Sequence, residues 1–243
     1  MSRTRADLLL VAKGLAESRA QARAAIEAGG VSADGRPVRK PSDLIAEDAA
    51  LDFTPPHPWV SRGGVKLALA LDVFRVDPAG RIAMDIGAST GGFTDVLLTR
   101  GAACTYAVDV GAGQLHPRVA GEPRVVSLEH TDARNLTRAL IPEPPTLIVC
   151  DVSFIGAAKA LAVPLSLAAP AADLIVLIKP QFEAGPGRAN KSGVLDEDIA
   201  RTAAADAIMG LDGLEGFRLT SFCDSPVRGG EGNLEMLAHL RRV

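Results

Sequence analysis

The clearest signal along the chain is an alternation of short apolar runs with longer amphipathic stretches. Apolar runs fall at residues 82–86, 106–110, 147–152 and 174–178, the lengths expected of strands buried on both faces. Helical stretches lie between or after them at 92–100, 157–169 and 196–211, with a further helical patch near 135–140. The first two runs and the helix between them make a βαβ unit. Repetition of that unit predicts an α/β fold, an open and mostly parallel sheet with helices on both faces.

The first sixty residues follow a different pattern. Residues 6–15 read as a short helix, and Ser18 is placed to cap a second one over 19–28 that stops at Gly29-Gly30. Short β segments follow, with an Asp34-Gly35 hairpin turn and a late Leu51-Asp52-Phe53 strand. This is a small α+β module. Thr54-Pro55-Pro56-His57-Pro58 comes next, and three prolines in so short a stretch cannot sit inside an element. The expected organisation is a module over 1–54, a Pro-rich linker over 55–60 and an α/β domain over 61–243.

Charge sharpens the division. The net charge is only −3, so no global positive field draws the protein to nucleic acid. Residues 1–40, however, carry eight basic side chains (Arg3, Arg5, Lys13, Arg19, Arg23, Arg36, Arg39, Lys40) against four acidic ones, while 41–60 carry four acids and no base. Arg19 and Arg23 are helical neighbours on one face. The charges make either a solvated helix face or a local basic surface, and any affinity for RNA must come from such a local patch.

Composition is that of an ordinary globular protein, 47% hydrophobic and 23% charged. The three cysteines, Cys104, Cys150 and Cys223, form no C-x-x-C, which argues against a zinc site or a disulfide framework. No metal is expected. The stretch MSRTRADLLLVAKG lacks a long apolar core and a small-residue cleavage site, so no secretory signal is expected there. Residues 161–178 contain Pro164, Pro170 and Asp173 and read as a helix followed by a buried strand rather than a membrane span. A cytoplasmic protein with no membrane partner is expected, and because both domains look self-sufficient, a monomer.

Chemistry concentrates where strands end. The first site is Asp85-Ile86-Gly87-Ala88-Ser89-Thr90-Gly91-Gly92-Phe93, a strand, a tight turn and a helix start. Ligands of open α/β sheets bind at the carboxyl ends of strands. The spacing is neither the dinucleotide G-x-G-x-x-G nor a phosphate-cradling P-loop. It suits a ligand with an amine and a ribose but no phosphate, such as S-adenosylmethionine (SAM). The alternative at this point is a glycine-rich turn of some other sheet. Asp109, ending the second strand, is placed to accept ribose hydroxyls. Asp151 ends the third, and the lack of a following proline disfavours an amine substrate. Lys179 ends an almost wholly apolar strand in a chain with six lysines and 20 arginines. Arginine never deprotonates, whereas lysine can be tuned to act as a base. Lys66 follows Ser61-Arg62-Gly63-Gly64, and Glu235 closes the glycine-rich Ser225-Pro226-Val227-Arg228-Gly229-Gly230-Glu231-Gly232-Asn233-Leu234.

Lys66, Asp151, Lys179 and Glu235, in that order, resemble the K-D-K-E tetrad of the FtsJ-type 2′-O-ribose methyltransferases. The surrounding text, SRGGVKL, DIGASTGGFTD, DVGAGQL, DVSFI, IKPQFEAG and SPVRGGEGNLE, is similar to the TlyA family of haemolysin-named rRNA methyltransferases. The first 55 or so residues resemble the S-four-type RNA-binding domain of that family. The resemblance covers nearly the whole chain and implies a Rossmann-like, FtsJ-like methyltransferase fold. It implies SAM-dependent 2′-O-methylation of a cytidine in 16S or 23S rRNA, or both, within 30S or 50S subunits. It carries Lys66, Asp151, Lys179 and Glu235 over as the catalytic set. Asp85, Gly87, Ser89, Gly91, Gly92, Phe93, Asp109 and Asp132 become the SAM-binding set, and Arg5, Arg19, Arg23 and Arg62 the RNA-binding set. Asp132 stands where the family tends to have an amide, in Glu129-His130-Thr131-Asp132-Ala133-Arg134.

A ribose 2′-hydroxyl is a poor nucleophile, so the enzyme must position the oxygen and help remove its proton. Lys179 is the expected centre, either as a neutral base favoured by Lys66 and a bound sulfonium, or as an ammonium that stabilises a developing alkoxide. Phe154 and Phe182, beside Asp151 and Lys179, are candidates for stacking an extruded base, or for core packing. Three rival readings are a pore-forming haemolysin, a non-catalytic RNA-binding assembly factor and a Rossmann oxidoreductase. The first lacks a membrane span, the second leaves the tetrad and the SAM-loop glycines unused, and the third lacks G-x-G-x-x-G.

Overall fold

In a computed structural model the chain divides into two compact units, Met1–Pro58 and Trp59–Val243. The structure describes residues 2–153, 156–185, 187–190, 192–229 and 232–243.

The first unit holds strand β1 (Arg3–Arg5), helices α1 (Ala6–Ala12) and α2 (Arg19–Glu27), and strands β2 (Val31–Ala33), β3 (Arg36–Pro37), β4 (Leu44–Ala46) and β5 (Leu51–Phe53). Ser18 caps α2, its side chain accepting from the Gln21 N–H. β2 pairs antiparallel with β3 across the Asp34-Gly35 turn and with β5 on its other side. β1 pairs with β4. Ala6, Leu10, Ala22, Ile26 and Val31 form the small core.

Beyond Pro58 come α3 (Arg62–Phe74), β6 (Ile82–Ile86), α4 (Gly92–Thr99), β7 (Cys104–Val108), α5 (Pro117–Ala120) and β8 (Val125–Leu128). Then follow β9 (Leu147–Cys150), α6 (Ala157–Ser166), β10 (Asp173–Ile178), α7 (Pro180–Glu183), α8 (Glu197–Leu211), β11 (Phe217–Asp224) and β12 (Met236–Arg242). Among the described residues the strands form one sheet in the order β11-β12-β10-β9-β6-β7-β8. The five from β8 to β10 run parallel, while β12 is antiparallel to β10 and β11 to β12.

The sheet is covered on both faces, which is why its central strands are continuously apolar. Every residue of β9 and β10 is buried. Alternate side chains serve opposite layers. Met84, Ile148, Leu174 and Val176 pack with Leu161, Leu165 and Ile208 of α6 and α8. Ala83, Leu147, Val149, Ile175 and Leu177 pack with Leu67, Leu71, Val96 and Leu97 of α3 and α4. The chain order reverses between β6 and β9, so their carboxyl ends open the crevice where such sheets bind ligands.

The helical patch expected near 135–140 is instead a single 3-10 turn, Ala133–Asn135, capped by the Asp132 side chain. Pro142, Pro144 and Pro145 follow closely and remove the donors that a longer helix would need. Strands β8, β11 and β12 carry no clear period in the sequence.

Phe217 starts β11, is fully buried in the larger core layer and has the Arg242 guanidinium 5.9 Å from its ring centroid. Phe217→Ala should cost about 3–5 kcal/mol, the usual penalty for truncating a buried Phe. Urea unfolding should show a lower midpoint with an unchanged slope.

Candidate functional site

The carboxyl ends of β6, β7, β9 and β10 carry the functional side chains to one rim. The turn after β6 lies directly on the end of β9. Gly87 has φ +82°, and a Cβ there would come 2.7 Å from the Asp151 carbonyl oxygen. Only glycine satisfies both demands. A Cβ on Gly92 would overlap the Ser61 hydroxyl, so the start of α4 also presses on the segment leading into α3.

Two adjoining hollows result. A cavity of about 400 Å³ is lined by Gly87, Ser89, Asp109, Gln114, Asp132, Asp151 and Ser153, among others. A second chamber, about 280 Å³, is lined by Ser61, Arg62, Lys66, Thr90, Gly92, Phe93, Asp151, Ser153 and Lys179, with Gly87 and Ser89 again at its edge. Gly87, Ser89, Asp151 and Ser153 are common to both, so they stand at the junction.

In the first hollow, the Asp109 carboxylate accepts the Ser89 N–H at 2.8 Å and the Gly111 N–H at 2.7 Å, one on each oxygen. Each oxygen keeps a further acceptor site for a diol. Asp132 pairs with Arg134, with contacts of 2.6–3.1 Å. The Arg134 side chain, followed by its backbone N–H, holds the Asp132 carboxyl down at about 2. A ribose-sized anchor thus sits between an acidic rim and a glycine floor, which fits a nucleoside without phosphate.

Three residues that line the chamber, Lys66, Asp151 and Lys179, belong to two ammonium–carboxylate pairs. Lys66 occupies the buried stripe of α3, together with Gly64, Leu67, Ala70 and Leu71. A lone ammonium there would be very costly. Glu235, itself buried just before β12, pairs with it. Lys179, at the end of β10, lies 2.6 Å from Asp151 Oδ1 and donates to Ser153 Oγ at 2.9 Å. The four residues of the expected tetrad are therefore drawn together as two pairs, from four separate elements.

Other expected site residues are placed differently. Asp85 is fully buried behind the loop and lines neither hollow. Its Oδ2 accepts from the Thr94 backbone N–H at 3.0 Å and its hydroxyl at 2.7 Å, anchoring the first turn of α4. Gly91 precedes α4 and packs under Leu115 and Val119. In the first unit, Arg5 and Arg19 both bond Asp7, at 2.9 Å and 3.0 Å, and Arg23 is exposed. The Arg5 hydrogen bond leads, with Arg19 adding to it, in holding the buried Asp7 carboxyl at about 2. Phe154 lies outside the described residues, and Phe182 sits half-buried in α7. Neither Gln114 nor Ser153 was expected as a site residue, although the motifs DVGAGQL and DVSFI contain them.

Comparison with known proteins gives a consistent picture. The family model for FtsJ-like methyltransferases matches residues 59–242, and that for the S4 domain matches residues 4–50. The 16S/23S rRNA (cytidine-2′-O)-methyltransferase TlyA of Mycobacterium tuberculosis is 43% identical over 241 residues, covering 98% of this chain and 90% of the relative. Hemolysin A of Brachyspira hyodysenteriae is 36% identical over 236 residues, covering 97% and 98%. A solved structure of a hemolysin-named protein from Streptococcus thermophilus superposes with a TM-score of 0.73 at 36% identity, covering 100% of this chain and 90% of that one.

Asp85 generates a pH prediction. Burial, reinforced by the facing Asp151 and Asp109 carboxylates and opposed by the Thr94 bonds, pushes its carboxyl up from 3.8 to about 7. Between about pH 4 and 7 the unfolded chain has released this proton and the native state keeps it, so folding loses free energy as pH rises. Relative to Asp85→Asn, the wild type should lose on the order of a few kcal/mol across that window and no more above it. Paired urea titrations at pH 4.5, 6 and 8 measure this, and parallel curves for the two proteins would refute it.

Proposed function

The chain belongs to the FtsJ-like methyltransferases that carry an N-terminal S4 domain, and from that footing we propose that it is a SAM-dependent rRNA (cytidine-2′-O)-methyltransferase acting on 16S rRNA, 23S rRNA or both. The observation that carries this reading is the meeting of two ammonium–carboxylate pairs at a chamber that adjoins a nucleoside-sized cavity.

SAM, when bound, supplies a methyl group already activated by its sulfonium. Asp109 would accept the two ribose hydroxyls of the cofactor, Gly87 and Ser89 would floor it, and Asp132 would stand at the adenine end. Gly92 and Phe93 belong to the chamber side of the same loop. Asp85 supports the set from behind by fixing α4.

The chain's own task is then to orient a 2′-oxygen and take charge of its proton. Lys179 is the group that meets the oxygen. Asp151 holds it by charge, and Lys66, kept in place by Glu235, sets a second cation across the chamber. As a neutral amine Lys179 accepts the proton, and as an ammonium it stabilises the alkoxide. Arg62 at the chamber, with Arg5, Arg19 and Arg23 of the S4 domain, would contact phosphates. Such contacts are salt-sensitive and independent of sequence. A stacked nucleotide cannot bring its 2′-oxygen to the cofactor easily, so the target is expected to be extruded. Among the described residues no helix is long and apolar enough to cross a membrane.

Methyl transfer from radiolabelled SAM to isolated 30S and 50S subunits tests this. Wild type should label RNA of at least one subunit as 2′-O-methylcytidine. Lys179→Ala should lose about 100-fold or more in rate, the scale of a positioned acid–base group. Lys179→Arg keeps the charge and removes the base, so substantial activity in that variant would exclude the general-base role. No label on either subunit, with SAM still bound, would leave the fold intact and remove the substrate.

A further inference from the structure

The tetrad accounts for one contact of the Lys179 ammonium, and the structure holds a second. Ser153 Oγ accepts from Lys179 Nζ at 2.9 Å, while Asp151 Oδ1 lies 2.6 Å away. Ser153 is two residues beyond Asp151 on the irregular segment after β9, and it lines both the cofactor-side cavity and the chamber. Like Asp151, it stands at the junction of the two hollows and contacts the central lysine.

The geometry of an ammonium makes that grip consequential. A lysine side chain has four flexible carbons and three N–H donors. One anchor leaves the head free to swing about the Asp151 contact. Asp151 holds the head group by charge, and the Ser153 hydroxyl is the directional contact, accepting one N–H and so limiting the rotation of the other two. A serine hydroxyl that accepts from the ammonium also retains its own hydrogen to donate.

We infer that Ser153 is a positioning residue for the methyl transfer: by accepting one N–H of Lys179 it restrains the head group at the chamber that Lys179 lines, where the 2′-oxygen is held. The inference rests on the methyltransferase reading above. Ser153 acts through Lys179 and through orientation alone. Misplacement of a reacting group by a fraction of an ångström is costly even where every catalytic group is present.

The test compares full-length wild type, Ser153→Ala and Ser153→Thr. With 30S and 50S subunits as substrate, Ser153→Ala should lose about tenfold in kcat with KM for the subunit within about twofold of wild type. Ser153→Thr, which restores the hydroxyl, should recover most of the loss. The second readout does not depend on activity. In protein labelled with 15N-lysine, the Lys179 ammonium should give a slowly exchanging cross-peak, assigned by its absence from Lys179→Ala. That peak should broaden in Ser153→Ala through faster exchange with water and return in Ser153→Thr. A Ser153→Ala protein with kcat within twofold of wild type, or with an unchanged Lys179 cross-peak, overturns the inference. If the wild type methylates neither subunit the functional reading fails, and the cross-peak still decides whether Ser153 holds Lys179.

Discussion

A methyl group at position 87 would lie 2.7 Å from the carbonyl oxygen of Asp151, and the site depends on there being none. The turn after β6 rests on the end of β9, with the Asp151 N–H bonded to the Ile86 carbonyl at 2.9 Å. That contact sets the distance between the loop that floors one hollow and the carboxylate that faces the other. Any side chain at 87 would lift the loop, spread the two strand ends and separate the hollows. The glycine is needed twice over, for its positive φ and for its missing Cβ, so no other residue can take its place.

The electrostatic problem at the rim is solved by pairing. Two ammonium groups are brought to a small, largely buried chamber, where an unpaired charge would be costly. Each has its own carboxylate, Glu235 for Lys66 and Asp151 for Lys179. The pairs differ in depth. Lys66 and Glu235 have side chains 8% and 3% exposed, while Lys179 and Asp151 are at 14% and 22%. The deeper pair is fixed in the packing of α3 and β12. The shallower one stays accessible from outside, which on the proposed reading is what a group that must meet the substrate oxygen requires.

Much of this was legible in the chain because its signals are local. Apolar runs gave β6, β7, β9 and β10, and strand-end residues gave Asp109, Asp151 and Lys179. The parts that were not legible owe their form to tertiary contacts. β12 interrupts its apolar run with His239, which is tolerated in a central strand because its ring reaches Asp173 at 2.9 Å and stacks on Phe74. β11 alternates in burial, but the period is hidden in the sequence because Ser221 takes a half-buried position and the apolar Phe222 an exposed one. β8 is an edge strand with a half-buried pattern and so a weak signal. Asp85 reads as a ligand contact from its place before the glycines, yet its carboxyl faces inward to Thr94. Ser153 is a short polar residue in a loop, and its bond to Lys179 joins segments 26 residues apart.

Charge distribution separates docking from chemistry. Residues 1–60 balance eight bases against eight acids, so the net charge of −3 belongs to the rest of the chain. On the proposed reading, a unit of that sign gains nothing from long-range attraction to an RNA backbone. The attraction then has to come from the arginines of the small unit, where the buried Asp7 acts as a hub. It neutralises part of the charge of Arg5 and Arg19, yet it fixes their planes, and a fixed guanidinium loses less entropy on meeting a phosphate than a free one. On the same reading, affinity and catalysis fall to different residues: docking strength would change through Arg5, Arg19 and Asp7, and the chemistry through the pairs that hold Lys66 and Lys179.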